Sequence, residues 1–439
     1  MRRVIPAILL ILFSGAGGAM EADIQEWETQ AGSHVLFVER HELPIVDIRL
    51  AFDAGSARDG DQSGLARMTS NLLLEGTPER NAGDIAREFE RYGARVSTDS
   101  GRDTGNVSMR ALSESDRLDP VIDNLAEVIA DADFPGDAVD RVRQQMLLGL
   151  QQAESSAASL AEKAFARGIY GDHPYASPPG GALATVEALD RQSVVDFHRR
   201  YYTAGNATIA IVGDLDRQQA EAIAERLSAA LPPGEPPAPL PEVELPEQAE
   251  TVRVPFEAGQ THVIIGQPSV RQGSEAYYPL YLGNHILGGG GLTSILAERM
   301  REERGLSYSS ASRLTTGARR GRFQMSTQVR NDALEEALEV MRSSLGELRD
   351  DGPSAERLDA SKRNITGSFP LQLDSNRDLL GYVSSIGFHD LPHDYLQQFV
   401  DRIDSLDGTD VQAALQTHLD PGLNVTVLVG PEAAINAVE

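Results

Sequence analysis

A chain of 439 residues, 41% apolar and 24% charged, is long enough for two domains of about 200 residues each, and its composition excludes wholesale disorder and a membrane bundle. Its 66 acidic against 39 basic residues give a formal charge of −27, which repels phosphate backbones and argues against a nucleic-acid partner. The absence of cysteine removes disulfides, thiolate catalysis and Cys-ligated metal. The acidic excess has two readings, a well-solvated surface or an acidic cavity suited to basic peptides.

At the amino end, Arg2 and Arg3 precede an apolar run over residues 4–13 and small residues over 14–19. This is the pattern of a removable export signal over residues 1–19, whose apolar run is too short to cross a bilayer. No later stretch reaches about 18 consecutive apolar residues, so a periplasmic or secreted protein without a membrane span is expected. Residues 20–229 read as a first domain. Strands are expected at 35–39 and 45–53 about a Glu42-Leu43-Pro44 turn. Residues 64–74 carry Leu65, Met68, Leu72 and Leu73 at helical spacing, with Ser63 as the expected cap and Gly76 just beyond. A helix over 84–92, a hairpin of 95–100 with 105–111, and helices over 118–131 and 139–154 follow.

Seven of the fifteen residues 232–246 are proline, a density that demands an extended connector. The linker is therefore placed at 230–247 and a second domain at 248–439. The two domains read as copies. Leu189-Asp190 opens a helical stretch with Phe197 and Tyr202, then a strand at 207–212 and Gly213. At an offset of 217 residues, Leu406-Asp407 opens another with Ala414 and Leu419, then a strand at 424–429 and Gly430. A constant offset through helix, strand and glycine marks an internal duplication. Strands and helices do not alternate strictly, so the fold class is α+β: two homologous domains, each a largely antiparallel sheet with helices packed on one face.

Segment 64–77, Gly-Leu-Ala-Arg-Met-Thr-Ser-Asn-Leu-Leu-Leu-Glu-Gly-Thr, resembles the helix that carries the inverted zinc motif, His-x-x-Glu-His, in the pitrilysin/insulinase-like peptidases. Gly171-Asp-His-Pro-Tyr175, Pro179-Gly-Gly181, and above all Leu287-Gly-Gly-Gly-Gly-Leu-Thr-Ser294 running into Arg301-Glu-Glu-Arg-Gly-Leu-Ser-Tyr308 are similar too. The resemblance covers roughly residues 34–435. In that family the two histidines bind zinc and the glutamate activates water. Here those positions hold Arg67, Ser70 and Asn71, none a usual zinc ligand, and Arg67 puts a permanent positive charge where the cation would sit. The family's third ligand, a glutamate on a later helix, falls near Gly149 in a stretch, 141–153, without a carboxylate. The resemblance thus implies a degenerate zinc site, no metal or other cofactor on this chain, and no peptidase activity alone. Arg67 is expected to fill the vacated pocket and pair with a nearby carboxylate.

The family's active site is composite: one half or subunit supplies zinc, the other an Arg and a Tyr seven residues apart that grip the substrate backbone. Arg301 and Tyr308 have that spacing. Residues 293–303 read as a helix with Leu292, Ile295, Leu296 and Met300 on its buried face, and Gly305 suits the left-handed position that ends it. Residues 306–313 alternate like a strand, with Tyr308 on the face of Leu306. Taken alone, Arg301 would pair with Glu298 one turn back and Tyr308 would be an ordinary strand aromatic. By resemblance, Arg301 would hold a substrate carbonyl and Tyr308 a developing oxyanion. The run Gly288, Gly289, Gly290 and Gly291 is either a plain loop before a helix or, by resemblance, backbone that touches an extended peptide. His389 and His393 have i, i+4 spacing, but Pro392 makes them a turn rather than a metal pair. Neither a Gly-x-Ser-x-Gly elbow nor a Gly-Lys-Ser/Thr phosphate loop occurs. The expected function is a zinc-less subunit of a heterodimeric metallopeptidase, which supplies substrate-binding residues and half of a chamber for unstructured peptides. Its implied partner is a zinc-motif-bearing insulinase-like chain, with a homodimer in that chain's absence. The alternative is a non-peptidase scaffold or peptide-binding module of the same fold.

Overall fold

The computed structural model describes residues 23–438, so the export signal expected over residues 1–19 lies outside the described residues. The first sheet contains β1 (Ile24–Glu28), β2 (His34–Glu39), β3 (Ile45–Phe52), β4 (Arg95–Ser100), β5 (Gly105–Leu112) and β6 (Ala207–Gly213), in the order β1-β2-β6-β3-β5-β4. The second contains β7 (Glu250–Pro255), β8 (Gln260–Pro268), β9 (Ser310–Thr315), β10 (Arg322–Arg330) and β11 (Val425–Gly430), in the order β7-β11-β8-β10-β9. Apart from β1, the two orders match strand for strand. β6 runs parallel to β2 and antiparallel to β3, and β11 runs parallel to β7 and antiparallel to β8. The helices ahead of β6 and β11, Arg191–Tyr201 and Gly408–His418, are both capped by aspartates. Asp190 accepts from Ser193 N at 2.8 Å and Asp407 from Asp410 N at 3.0 Å, and the two lie at the same offset of 217 residues. The α+β class and the duplication therefore both hold.

Each sheet carries its own half's helices on one face. On the first, Val35, Phe37, Ile48, Leu50 and Val107 are buried with Leu65, Met68 and Leu72 of α1 (Leu65–Leu72). The same core takes in α2 (Ala82–Arg91), α3 (Ser115–Ala130) and α4 (Gly136–Glu154). Strand alternation turns Leu36, Val38, Ala210 and Val212 to the opposite face. That face is covered by a helix from the other half, Asn376–Phe388, lying across β2, β3 and β6. Gly387 sits against Leu36, with Leu380 and Val383 at helical spacing on the same side. The exchange is reciprocal: α5 (Ala157–Tyr170) leaves the first half and packs Ala161, Phe165 and Ile169 onto Ile264, Val425, Val427 and Val429 of the second sheet. A small residue permits each approach, since a Cβ on Gly168 would stand 2.8 Å from Val425 and one on Gly387 2.3 Å from Leu36.

Residues 232–246 form no helix or strand, yet Leu240 and Val243 are buried against α5. Arg319 Nε donates to the Leu240 carbonyl at 2.6 Å and His173 Nε2 to that of Pro241 at 3.0 Å. The neighbouring Tyr175 hydroxyl donates to the Asp103 carboxylate, which accepts from Ala318 N at 3.1 Å. The segment Gly171-Asp-His-Pro-Tyr175 therefore ties the hairpin loops of both halves and the connector together.

Candidate functional site

The helix that resembles a zinc helix is held by an unexpected acid. Ser63 does not cap it. Gly64 precedes α1 with a left-handed φ of 98°, and its N–H and that of Ala66 are each accepted at 2.7 Å by the Asp59 carboxylate, which reaches in from the turn before. Burial pushes the Asp59 carboxyl up to about 7, against the opposing effect of both N–H donors.

Of the three degenerate positions, Arg67 and Asn71 face solvent, whereas Ser70 is fully buried with no partner for its hydroxyl among the described residues. Among the described residues Arg67 pairs with no carboxylate. Its Nη1 donates to the Ser100 carbonyl at 3.4 Å, because this face of α1 meets the backbone end of β4 rather than an acid. Gly149, on α4, has open space around it, and among the described residues no three His, Cys, Asp or Glu side chains converge on a point. Arg67, Ser70, Asn71 and Gly149 do not fit a catalytic zinc. Because Arg67 is exposed and singly bonded, Arg67→Ala is expected to change unfolding free energy by no more than about 0.5 kcal/mol in urea denaturation.

In the second half, the expected helix over 293–303 begins two residues late and runs to Glu303 with an irregular winding. Residues Ile295–Ala297 form a short α turn capped by Ser294, flanked by π-helical turns at His285–Gly289 and Glu298–Glu303. Ile295, Leu296 and Met300 are buried as expected, but Leu292 is 64% exposed because it sits in the separate turn Gly291–Thr293 ahead of the cap. Gly305 ends the segment as expected, with φ of 60° and Leu306 N reaching back to Met300 O at 2.8 Å. The pairing of Arg301 with Glu298 is absent, since Glu298 is engaged by Arg357. Strand pairing begins only at Ser310, so Tyr308 does not share the face of Leu306: Leu306 is buried and Tyr308 is 85% exposed.

That exposed turn is fixed from beneath. Ser307 Oγ donates to Ser309 O at 2.8 Å and accepts from Thr327 Oγ1 at 2.9 Å. The Arg301 guanidinium then lies 5.0 Å from the Tyr308 ring centroid, within cation–π range. Neither side chain has an ion-pair or hydrogen-bond partner among the described residues, so the guanidinium donors and the phenol remain available to a ligand. The glycine run divides in two. A Cβ on Gly288 would stand 2.3 Å from Ser312 N, and Gly289 and Gly290 pack on Asn284 and His285, whereas Gly291 meets open space. No hydrogen bond, ion pair or ring contact among the described residues joins this cluster to Arg67, Ser70 or Asn71. His389 and His393 lie in a turn, as expected, and His393 Nε2 meets Glu26 Oε2 across the halves at 2.8 Å.

Two family models match the chain, one described as insulinase (peptidase family M16) over residues 34–181 and one as peptidase M16 inactive domain over 188–365. A Rickettsia felis protein named as an uncharacterized zinc protease is 27% identical, over 68% of this chain and 73% of its own length. A Helicobacter pylori protein named non-peptidase homolog YmxG is 25% identical over 96% of both chains. Among solved structures, a peptidase M16 inactive domain from Pseudomonas fluorescens is 36% identical with a TM-score of 0.90, matching 93% of this chain and 98% of that one. A protease from Helicobacter pylori, 18% identical over 93% of this chain and 100% of that one, shares the fold with a TM-score of 0.86.

Proposed function

This chain belongs to the M16, insulinase-type peptidase family, and on that premise we propose that it is the substrate-gripping subunit of a two-chain peptidase whose metal is carried by a partner. The observation that carries the reading is the Arg301–Tyr308 pair, held outward on an anchored turn and unpartnered among the described residues, which also hold no cluster of metal-ligating side chains. A guanidinium presents a rigid set of donors to a peptide carbonyl, and a phenol donates one hydrogen bond to an oxygen that gains charge. The partner is a related chain with an intact His-x-x-Glu-His helix, and the two enclose unstructured peptides between them. Export is part of the same reading and is supported by the residue 1–19 pattern; cell fractionation checks it.

The test mixes this chain with such a relative and follows a quenched peptide. Tyr308→Phe is expected to lower turnover of the mixture about tenfold or more while co-elution of the two chains is unchanged. Full turnover by the Phe variant would remove the site assignment. A second reading, a peptide-binding module without peptidase function, is favoured by the name of the Helicobacter pylori relative and its match along 96% of both chains. Peptide bound but never cleaved, with or without the partner, would select it.

A further inference from the structure

Strand alternation puts Thr327 of β10 in line with Phe323, Met325 and Val329, which are all buried in the core of the second half. Thr327 is itself only 3% exposed, so a hydroxyl stands where the row calls for valine. A buried hydroxyl has to find partners, and this one finds them beneath the turn that carries Tyr308. Thr327 stands opposite Ser310 of β9, whose hydroxyl lies 2.8 Å from its own. It donates to Ser307 Oγ at 2.9 Å, and Ser307 Oγ donates to Ser309 O at 2.8 Å. Ser309 N donates back to Ser307 Oγ at 3.2 Å. With Ser310 as the donor to Thr327, each hydroxyl proton in this relay is used once. At its other end Ser307 N reaches Met300 O at 3.3 Å, which joins the turn to the residue ahead of Arg301.

We propose that Thr327 is a positioning residue for the Arg301–Tyr308 pair. It touches no substrate, and acts by holding the backbone on both sides of Tyr308 so that the phenol meets the substrate oxygen. The proposal rests on the two-chain reading above and adds to it a buried residue more than one strand length away in sequence. Tyr308 is exposed, so packing does not hold its ring 5.0 Å from the Arg301 guanidinium. An exposed side chain is placed by its backbone, and here Ser307 and Ser309 are both within reach of the one Thr327 hydroxyl, at 2.9 and 3.2 Å. A grip that must meet an oxygen as it gains charge depends on such placement, because small displacements of a catalytic donor cost rate.

The experiment compares Thr327→Val, which removes the hydroxyl, with Thr327→Ser, which keeps it, in the mixed complex and with the quenched peptide. Valine is expected to lower kcat about tenfold with KM unchanged within about twofold, and serine to restore most of the loss. Ser307→Ala breaks the same relay without added bulk, is expected to match valine, and serves if the valine variant does not fold. Placed in Tyr308→Phe, Thr327→Val is expected to cost less than about a further twofold, because residues that act through one group are not additive. Full turnover by both the valine and alanine variants, a serine variant as slow as valine, or losses that multiply in the double variant overturns the proposal. A second readout uses the chain alone with ring-labelled tyrosine. The nuclear Overhauser contact between the Tyr308 ring and the Arg301 side chain is expected in the natural chain and the serine variant, and lost with valine. A contact that survives valine also overturns the proposal. Turnover that Tyr308→Phe does not lower, with this contact still lost in the valine variant, would sink the two-chain reading and leave the positioning in place.

Discussion

Phe165→Ala is expected to lower the stability of the whole molecule by about 3–5 kcal/mol and to leave both sheets melting in one transition. Phe165 is fully buried, and its ring occupies space that only the missing side chain of Gly266 leaves open: a Cβ there would lie 2.8 Å from Phe165 Cζ. Alanine would leave a cavity under the second sheet, although the residue belongs to a helix of the first half. The surrounding Ile264, Val427 and Val429 are strand residues with little freedom to collapse into it. Trp27, the single tryptophan, lies on β1 of the first sheet and carries the Arg217 guanidinium 3.7 Å from its ring. Its fluorescence should therefore fall in step with far-ultraviolet circular dichroism as urea rises. Two separated transitions, with Trp27 silent in the first, would show that the halves unfold independently.

The buried Asp59 gives the second large effect, through pH. Its ordinary value is 3.8, and burial raises it to about 7 in the folded chain. The folded state thus holds the proton more tightly than the unfolded one. The associated stability is complete below about pH 3.8 and is lost as pH rises through 7. His198 acts in the opposite sense. Burial pushes it down to about 4, so its contribution is present above 6.5 and is lost as pH falls. Asp59→Asn separates the two, because the amide cannot titrate and turns its own N–H towards one of the helix donors. The stability advantage of the natural chain over this variant should be about 2–3 kcal/mol larger at pH 5 than at pH 8. An advantage that is the same at both pH values would mean that Asp59 titrates normally.

The repeated order of strands was legible because it depends on local periodicity and a fixed offset, both of which survive in Asp190 and Asp407 and in the glycines that end β6 and β11. The exchanged helices were not, although a signal existed. Every residue of Ala207–Gly213 is buried, which is the mark of a strand covered on both faces, but an apolar pattern does not say which element provides the cover. At the candidate site, the resemblance drew attention to Arg301 and Tyr308, and Gly305 predicted the turn between them. The orientations of Leu292 and Tyr308 were misjudged because Leu292 sits in a separate turn ahead of the helix cap and β9 starts only after Tyr308. Asp59 was missed because it reaches the helix from a separate turn, which no local pattern records.

The exchange of helices also sets an order of events during synthesis. β6 closes the first sheet at Gly213, but the helix that shields its second face is not complete until Phe388 has been added. At ordinary ribosomal speeds that interval is on the order of 10–35 s. Throughout it, Leu36, Val38, Ala210 and Val212 have no native cover, and α5 lacks β11, one of the two strands it packs on most, until residue 430 has been added. Neither half can reach its final form in sequence order. The nascent chain must wait, either extended or with its apolar face shielded by another molecule, until almost all of it exists.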